Sequence, residues 1–243
     1  MIYIVGLGPG EQSQMTQKAL DSIEASEVIV GYTVYIDLIQ ELIKGKEIIS
    51  TAMMKEVERC KMAVMEAREG KIVTMVSSGD AGVYGMASLV IEICEELNVD
   101  TEIEVVSGIT AATSASAVLG APLTHDFAVI SLSNLLTPWE KIEKRLDLAS
   151  QAGFTIVLYN PSSKKRHDFL EKACQIIMRN IADDTMCGYV RNIGREGQSH
   201  KILTLSELKE EKVDMFTTVI IGNETTKVIQ GKLVTPRGYR IHE

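Results

Sequence analysis

One stretch in the N-terminal half restricts what this chain can fold into more than any other. Lys71-Ile72-Val73-Thr74-Met75-Val76 is a short run of apolar and β-branched residues, the pattern of a buried strand. Ser77-Ser78-Gly79-Asp80-Ala81-Gly82-Val83-Tyr84-Gly85 follows it. From Met86 to Leu97 apolar residues then recur at three- and four-residue spacing, as an amphipathic helix requires. In an open α/β sheet, a strand that runs through glycines and an aspartate into a helix marks the edge where ligands bind. Glycine lets a ligand approach the backbone, and a carboxylate accepts hydrogen bonds from it. Taken alone, the stretch fits an ordinary tight turn with Asp80 as a cap equally well.

The same grammar extends along the chain. Ile2 to Val5 is a strand that runs into Gly6-Leu7-Gly8-Pro9-Gly10. The dinucleotide fingerprint GxGxxG is not completed there, no Gly-Lys-Ser/Thr follows, and Pro9 removes a backbone donor that a phosphate nest would use. Helical periodicity covers 13–23, 34–43 and 57–69, and strands are predicted at 27–30 and 47–49. Residues 101–106 form a strand that ends in Ser107-Gly108-Ile109-Thr110-Ala111-Ala112, with a helix of small residues through Ala117. This alternation predicts a mostly parallel sheet with helices on both faces.

Gly120-Ala121-Pro122-Leu123 interrupts the pattern and divides the chain into an N-terminal α/β domain, 1–119, and a C-terminal one, 120–243. Beyond it, strands are predicted at 127–132, 154–159, 186–191, 200–205 and 216–221. Helices are predicted at 138–151 and 163–179, the second capped by Ser163. A cleft between two such halves is the natural place for a ligand.

Composition excludes several classes. A formal net charge of −8 over 243 residues argues against a general nucleic-acid binder. No apolar run approaches the roughly 20 residues of a membrane span, and Met1 to Val5 enters a strand without a basic leader, so a cytoplasmic protein is expected. Cys60, Cys94, Cys174 and Cys187 are dispersed, as buried structural thiols are. No metal-ligand spacing, HExxH or GxSxG is present, so no metal site is expected.

The basic residues cluster. Lys164-Lys165-Arg166-His167 follows an Asn-Pro turn, Arg191, Arg195 and His200 share a later loop region, and Arg237 and Arg240 lie in the C-terminal segment. These are either solvated faces or a set converging on a substrate with several carboxylates. His125-Asp126 is either a general acid/base pair or two neighbours on opposite sides of the chain.

Together, Gly6-Leu7-Gly8-Pro9-Gly10, Ser78-Gly79-Asp80 with Val83-Tyr84-Gly85, and Val106-Ser107-Gly108-Ile109-Thr110-Ala111 resemble the tetrapyrrole (corrin/porphyrin) methyltransferases, in order and over essentially the whole chain. Gly120-Ala121-Pro122-Leu123, the run Ile130 to Trp139, Leu158-Tyr159-Asn160-Pro161-Ser162-Ser163 with Arg166, and Thr235-Pro236-Arg237-Gly238-Tyr239 look like the branch that methylates C-17 in cobalamin synthesis. The chain departs from that branch at Asn134 and Ser162.

The resemblance implies two α/β domains with S-adenosylmethionine in the cleft between them. It also implies a precorrin-3B or cobalt-factor III substrate, ring contraction accompanying the transfer, and a homodimer. Cofactor contacts carried over by motif are Pro9, Gly79, Asp80, Val83, Thr110 and Ala111, with Asn160, Gly188 and Thr217 from the second half. The substrate's acetate and propionate arms would be met by Lys164, Arg166, Arg191 and Arg195. His125, Asp126, Tyr84 and Tyr159 are the candidates for the proton handling that ring contraction needs. Another corrin-ring methyltransferase of the same fold, acting at C-11 or C-20, is the nearest alternative.

Overall fold

The computed structural model describes residues 1–163 and 166–240, and the chain divides into two compact units, Met1–Ala111 and Ala112–Glu243. The first unit runs β1 (Ile2–Gly6), α1 (Gln17–Ala25), β2 (Val28–Tyr32), α2 (Thr33–Asp37), β3 (Glu47–Thr51), α3 (Glu56–Arg68), β4 (Val73–Ser77), α4 (Ala87–Glu96) and β5 (Ile103–Val106), and ends as α5 (Ala111–Leu119) begins. Its sheet has the order β3-β2-β4-β1-β5, and every pairing is parallel. Parallel strands must be covered on both faces, which is why these strands read as nearly unbroken apolar runs. Alternation along β1 sends Ile2 and Ile4 to a core with α3 and α4, and Val5 to a second core with α1 and α2.

That topology creates a switch point. The chain leaves β1 toward β2 through α1 on one face and leaves β4 toward β5 through α4 on the other, while β1 and β4 are neighbours. The crevice outside their carboxyl ends is where such sheets hold ligands.

The second unit continues with β6 (Gly120–Ala121), β7 (Phe127–Ser131), α6 (Trp139–Gln151), β8 (Thr155–Tyr159), α7 (Phe169–Ile177), β9 (Met186–Arg191), β10 (Ser199–Thr204), α8 (Leu205–Lys209), β11 (Thr217–Ile221), β12 (Lys227–Ile229) and β13 (Lys232–Val234). Its main sheet is β10-β9-β11-β8-β7. Only β7 and β8 pair in parallel there, and the other three pairings are antiparallel. Helices α6, α7 and α8 cover one face through Ile142, Leu146, Leu170, Ile177 and Leu205. On the other face Leu119 of α5 packs against Gly188, where an added Cβ would stand 2.9 Å from both Leu119 methyl carbons.

Several local expectations are corrected. Thr16 caps α1 by accepting the Ala19 N–H at 3.2 Å, so the 13–23 periodicity splits into a 3-10 turn at Gln12–Gln14 and a later helix. The 34–43 helix stops at Asp37, because Ile39 and Leu42 donate to carbonyls three residues back and the segment tightens into turns. The 163–179 helix begins only at Phe169. Ser163 does not cap it, since its hydroxyl accepts from the Arg166 guanidinium instead. The short α8, β12 and β13 carry too few residues to show a period.

Candidate active site

In the first unit the loops after β1, β4 and β5 lock together at the switch point. Gly79 donates its N–H to the Gly8 carbonyl at 2.8 Å, and Gly8 donates to the Gly79 carbonyl at 3.0 Å. Asp80 then does two jobs. Its Oδ1 accepts the N–H groups of Gly82 (2.8 Å) and Val83 (3.1 Å), which shapes its own turn, and its Oδ2 accepts the N–H of Gly108 (3.0 Å) from the β5 loop. Three of the roughly four acceptor positions of the carboxylate are therefore used, and about one remains for a ligand. Thr16 joins the group by donating to the Ser107 carbonyl at 3.3 Å.

Glycine is required where these backbones meet. A Cβ on Gly108 would lie 2.2 Å from the Gly79 oxygen and 2.5 Å from the Gly6 oxygen, and one on Gly6 would lie 2.6 Å from the Gly79 oxygen. Neither residue was singled out as a site residue from sequence. The signal was present: a glycine stands one to three residues beyond the apolar run of each of the three strands. Pro9, Gly79, Asp80, Val83, Thr110 and Ala111 all fall on this edge. Exposed Val83, Tyr84 and Ile109 rim it with apolar surface. Tyr84 is held at φ 53°, a left-handed conformation that a bulky side chain rarely takes. Backbone polar groups, one carboxylate and an apolar rim suit a ligand with flat apolar rings and polar ends.

In the second unit the strand register decides which expected residues share an edge. Ser131 pairs with Tyr159 at the carboxyl ends of β7 and β8, and Thr217 pairs with Arg191 where β11 begins and β9 ends. Val219 opposite Leu158 brings these four to the same edge, with Asn160 next in the chain. Asn160, at φ 53°, donates from Nδ2 to Ser131 Oγ at 3.0 Å. Tyr159 Oη accepts the Ala112 N–H at 2.7 Å in the first turn of α5, one of the donors a helix start leaves over.

Arg191 donates from Nε to Asp214 at 2.7 Å, and that carboxylate also accepts from Thr217 Oγ1 and the Phe216 N–H. Arg166 donates from Nε to Ser163 Oγ (3.1 Å) and from Nη1 to Ser133 Oγ (2.6 Å). Arg195 stands in the β9–β10 loop, its N–H on the Asn192 carbonyl. Lys164 lies outside the described residues.

Two expected residues are set apart. His125 and Asp126 precede β7 and so sit at the opposite edge from Tyr159, roughly 15 Å away along the strand. His125 Nδ1 accepts the Asp126 backbone N–H at 2.9 Å and is 3.7 Å from the Asp126 carboxylate, beyond hydrogen-bond reach. Both are well exposed, and no acid/base dyad is formed. Gly188 lies inside β9, three residues from the edge, where Leu119 accounts for it. Two hollows lie elsewhere: one of about 670 Å³ beside Met54, Met62 and Met65 on the outer side of α3, and a polar one of about 680 Å³ beside Gly153, Asn180 and Asn223. Among the described residues no group of three or more His, Cys, Asp or Glu side chains is placed to hold a metal, and no helix is long and apolar enough to cross a membrane.

Comparison with known proteins places this geometry in a lineage. The family model for Tetrapyrrole (Corrin/Porphyrin) Methylases matches residues 1–209. The chain is 48% identical over 238 residues to the cobalamin biosynthesis protein CbiHC of Archaeoglobus fulgidus, covering 98% of this chain but only about half, 52%, of that protein. It is 43% identical over 241 residues to the probable cobalt-factor III C(17)-methyltransferase of Salmonella typhimurium, covering 99% of this chain and 100% of that one. Among solved structures, the methyltransferase CobJ superposes with a TM-score of 0.90 at 34% identity, over 97% of this chain and 99% of that one. Glycine loops locked at a switch point, a match through both units and this structural likeness agree: the chain belongs to the tetrapyrrole (corrin/porphyrin) methylases.

Proposed function

We infer that this chain is an S-adenosylmethionine-dependent methyltransferase that methylates C-17 of precorrin-3B or cobalt-factor III in cobalamin biosynthesis, with ring contraction accompanying the transfer. The observation that carries this reading is the end-to-end match to the Salmonella protein, which leaves no part of either chain unaccounted for beyond a few residues. S-adenosylmethionine supplies a methyl group already made electrophilic by its sulfonium. The chain's task is therefore placement, which can supply about 7–11 kcal/mol of a barrier.

Asp80, through its remaining acceptor position, and the backbone of Gly79, Thr110 and Ala111 hold the cofactor's polar groups. Pro9 and Val83 pack on its apolar parts. Because Gly8–Gly79 and Asp80–Gly108 fix the loops beforehand, little ordering is left for the moment of binding. Of the four residues expected to handle protons, Tyr84 alone stands among these loops, and we carry it forward as the catalytic candidate. Tyr159 is engaged with the start of α5 and serves as a positioning residue. Arg166, Arg191 and Arg195 take the substrate's carboxylates. The same reading makes the protein a cytoplasmic homodimer.

Incubation with S-adenosylmethionine and, side by side, precorrin-3B and cobalt-factor III tests the function. A product carrying one additional methyl at C-17 is expected from at least one substrate, and methylation at C-11 or C-20, or none, overturns the reading.

A further inference from the structure

We propose that Leu135 and Leu136 form an apolar lip that packs on the face of the tetrapyrrole macrocycle while Arg166, aimed by Ser133 and Ser163, binds one of its carboxylate arms. The proposal rests on the tetrapyrrole reading above and adds residues that the reading does not supply. Leu135 is 65% exposed and Leu136 98% exposed, and among the described residues no large apolar side chain is less covered than Leu136. Single exposed leucines are commonplace. Two in succession at a loop tip, in the segment that leaves the carboxyl end of β7, are a standing cost unless something covers them.

What lies beside them selects the cover. Arg166 is partly buried and points its guanidinium at Ser133, two residues before Leu135. Two serine hydroxyls orient it, yet among the described residues no carboxylate stands within 4.0 Å of it, although the chain carries a net charge of −8. Arg191, by contrast, is already matched to Asp214. Serine hydroxyls satisfy two guanidinium donors without neutralising the charge, so the remaining N–H groups and the full positive charge are offered to an anion. A hydrophobic surface beside an uncompensated, preoriented guanidinium is complementary to a ligand that is apolar on its face and anionic at its rim, which is the chemistry of a tetrapyrrole with acetate and propionate arms. A protein partner would also cover leucines, but it would not by itself call for the arginine.

The test is a titration of cobalt-factor III, followed by its visible absorption, into the full-length wild-type protein and into L135N/L136N, L135M/L136M and R166Q. Cofactor affinity is measured by calorimetry and assembly state by sedimentation velocity on the same samples. L135N/L136N and R166Q are each expected to raise the tetrapyrrole dissociation constant about tenfold or more. L135M/L136M should restore it to near wild type, and S-adenosylmethionine affinity should be unchanged throughout. Leu135 and Leu136 are exposed enough that L135N/L136N should leave the thermal midpoint in place, which separates lost binding from lost folding for the lip. The unchanged S-adenosylmethionine affinity does so for R166Q. Wild-type-like tetrapyrrole affinity in both L135N/L136N and R166Q overturns the proposal, as does a change in sedimentation at unchanged tetrapyrrole affinity, which would assign the lip to a protein contact. Failure of the wild type itself to bind cobalt-factor III, and equally precorrin-3B titrated in the same way, overturns the tetrapyrrole reading on which the lip depends.

Discussion

The carboxylate of Asp80 and the backbone N–H of Gly108, 28 residues apart in sequence, meet at 3.0 Å and tie the loop after β4 to the loop after β5. Asp80 is therefore a strut between loops as much as a ligand contact, and its substitution tests a specific geometry. In D80A the Gly82, Val83 and Gly108 donors all lose their acceptor, and hydrogen bonds to a charged group are worth about 1.5–3 kcal/mol each before solvent takes up part of the loss. A drop of about 2–4 kcal/mol in unfolding free energy is expected, with cofactor affinity at least about tenfold weaker. D80N should be nearly as damaging. One of its two terminal atoms is an NH₂, so either Gly108 or the Gly82–Val83 pair would face a donor with a donor. Urea denaturation and calorimetry check both variants, and a D80N protein that binds S-adenosylmethionine like the wild type would remove the strut from the account.

The glycines of the three loops are not equivalent, and their ranking can be measured. Gly108→Ala places a Cβ 2.2 Å from one backbone oxygen and 2.5 Å from another, so two loops must separate. Gly79→Ala meets nothing closer than 3.8 Å and is charged only for its φ of 68°, about 1–2 kcal/mol. G108A should lose more stability than G79A, and its cofactor affinity should fall further. Equal midpoints in urea for the two variants would show that the loops can part at little cost.

This ranking also shows where sequence reading stops. β-branched runs ending in glycine, repeated at Gly6, Gly79 and Gly108, announced the parallel sheet and its ligand edge, because period and glycine chemistry are local properties. Which glycine touches which loop is decided by strand order, β4 beside β1 beside β5, and no local pattern encodes that order. The same limit explains His125 and Asp126. Sequence placed them just before a strand, but only the pairing of β7 with β8 shows that this is the edge away from Tyr159. Direction was equally hidden in the second unit. Its strands carry the same Val/Ile-rich composition whether they run parallel, as β7 and β8 do, or antiparallel, as β8 and β11 do. Ser163 was a reasonable cap by residue type, and the competing use of its hydroxyl by Arg166 is a tertiary fact.

The four thiols give a prediction that depends only on burial. Cys60, Cys94, Cys174 and Cys187 are all buried, and loss of hydration pushes each thiol up, Cys60 to about 11 and Cys174 to about 12. The thiolate is the reactive form, so at pH 8 the folded protein should react with a thiol-specific reagent far more slowly than a free cysteine does. Four equivalents should react once the chain is unfolded. A thiol that titrates rapidly in the native state would mark an exposed or activated cysteine and contradict the packing described.

Arg191 and Asp214 supply the pH dependence. Partial burial pushes the Asp214 carboxyl up, but the Arg191 guanidinium, the Thr217 hydroxyl and the Phe216 N–H together hold it below the ordinary carboxylate range. A carboxylate whose folded pKa is depressed contributes stability above its unfolded pKa, about 3.9, and that contribution is lost as pH falls through the folded value. The pair is more than a third exposed on both sides, so solvent screening limits it to about 1 kcal/mol or less, a shift of a few degrees in midpoint at this chain length. Wild type should therefore melt slightly above D214N between about pH 5 and 8, and the gap should close below about pH 4. R191Q should flatten the wild-type acid limb, because without the guanidinium the Asp214 carboxyl is no longer held so far below its unfolded pKa. The two functions assigned to Arg191 separate in that variant: a raised KM for the tetrapyrrole at pH 7 reports substrate contact, while the acid limb reports the ion pair. An unchanged KM together with a flattened acid limb would confine Arg191 to holding β9 against the start of β11.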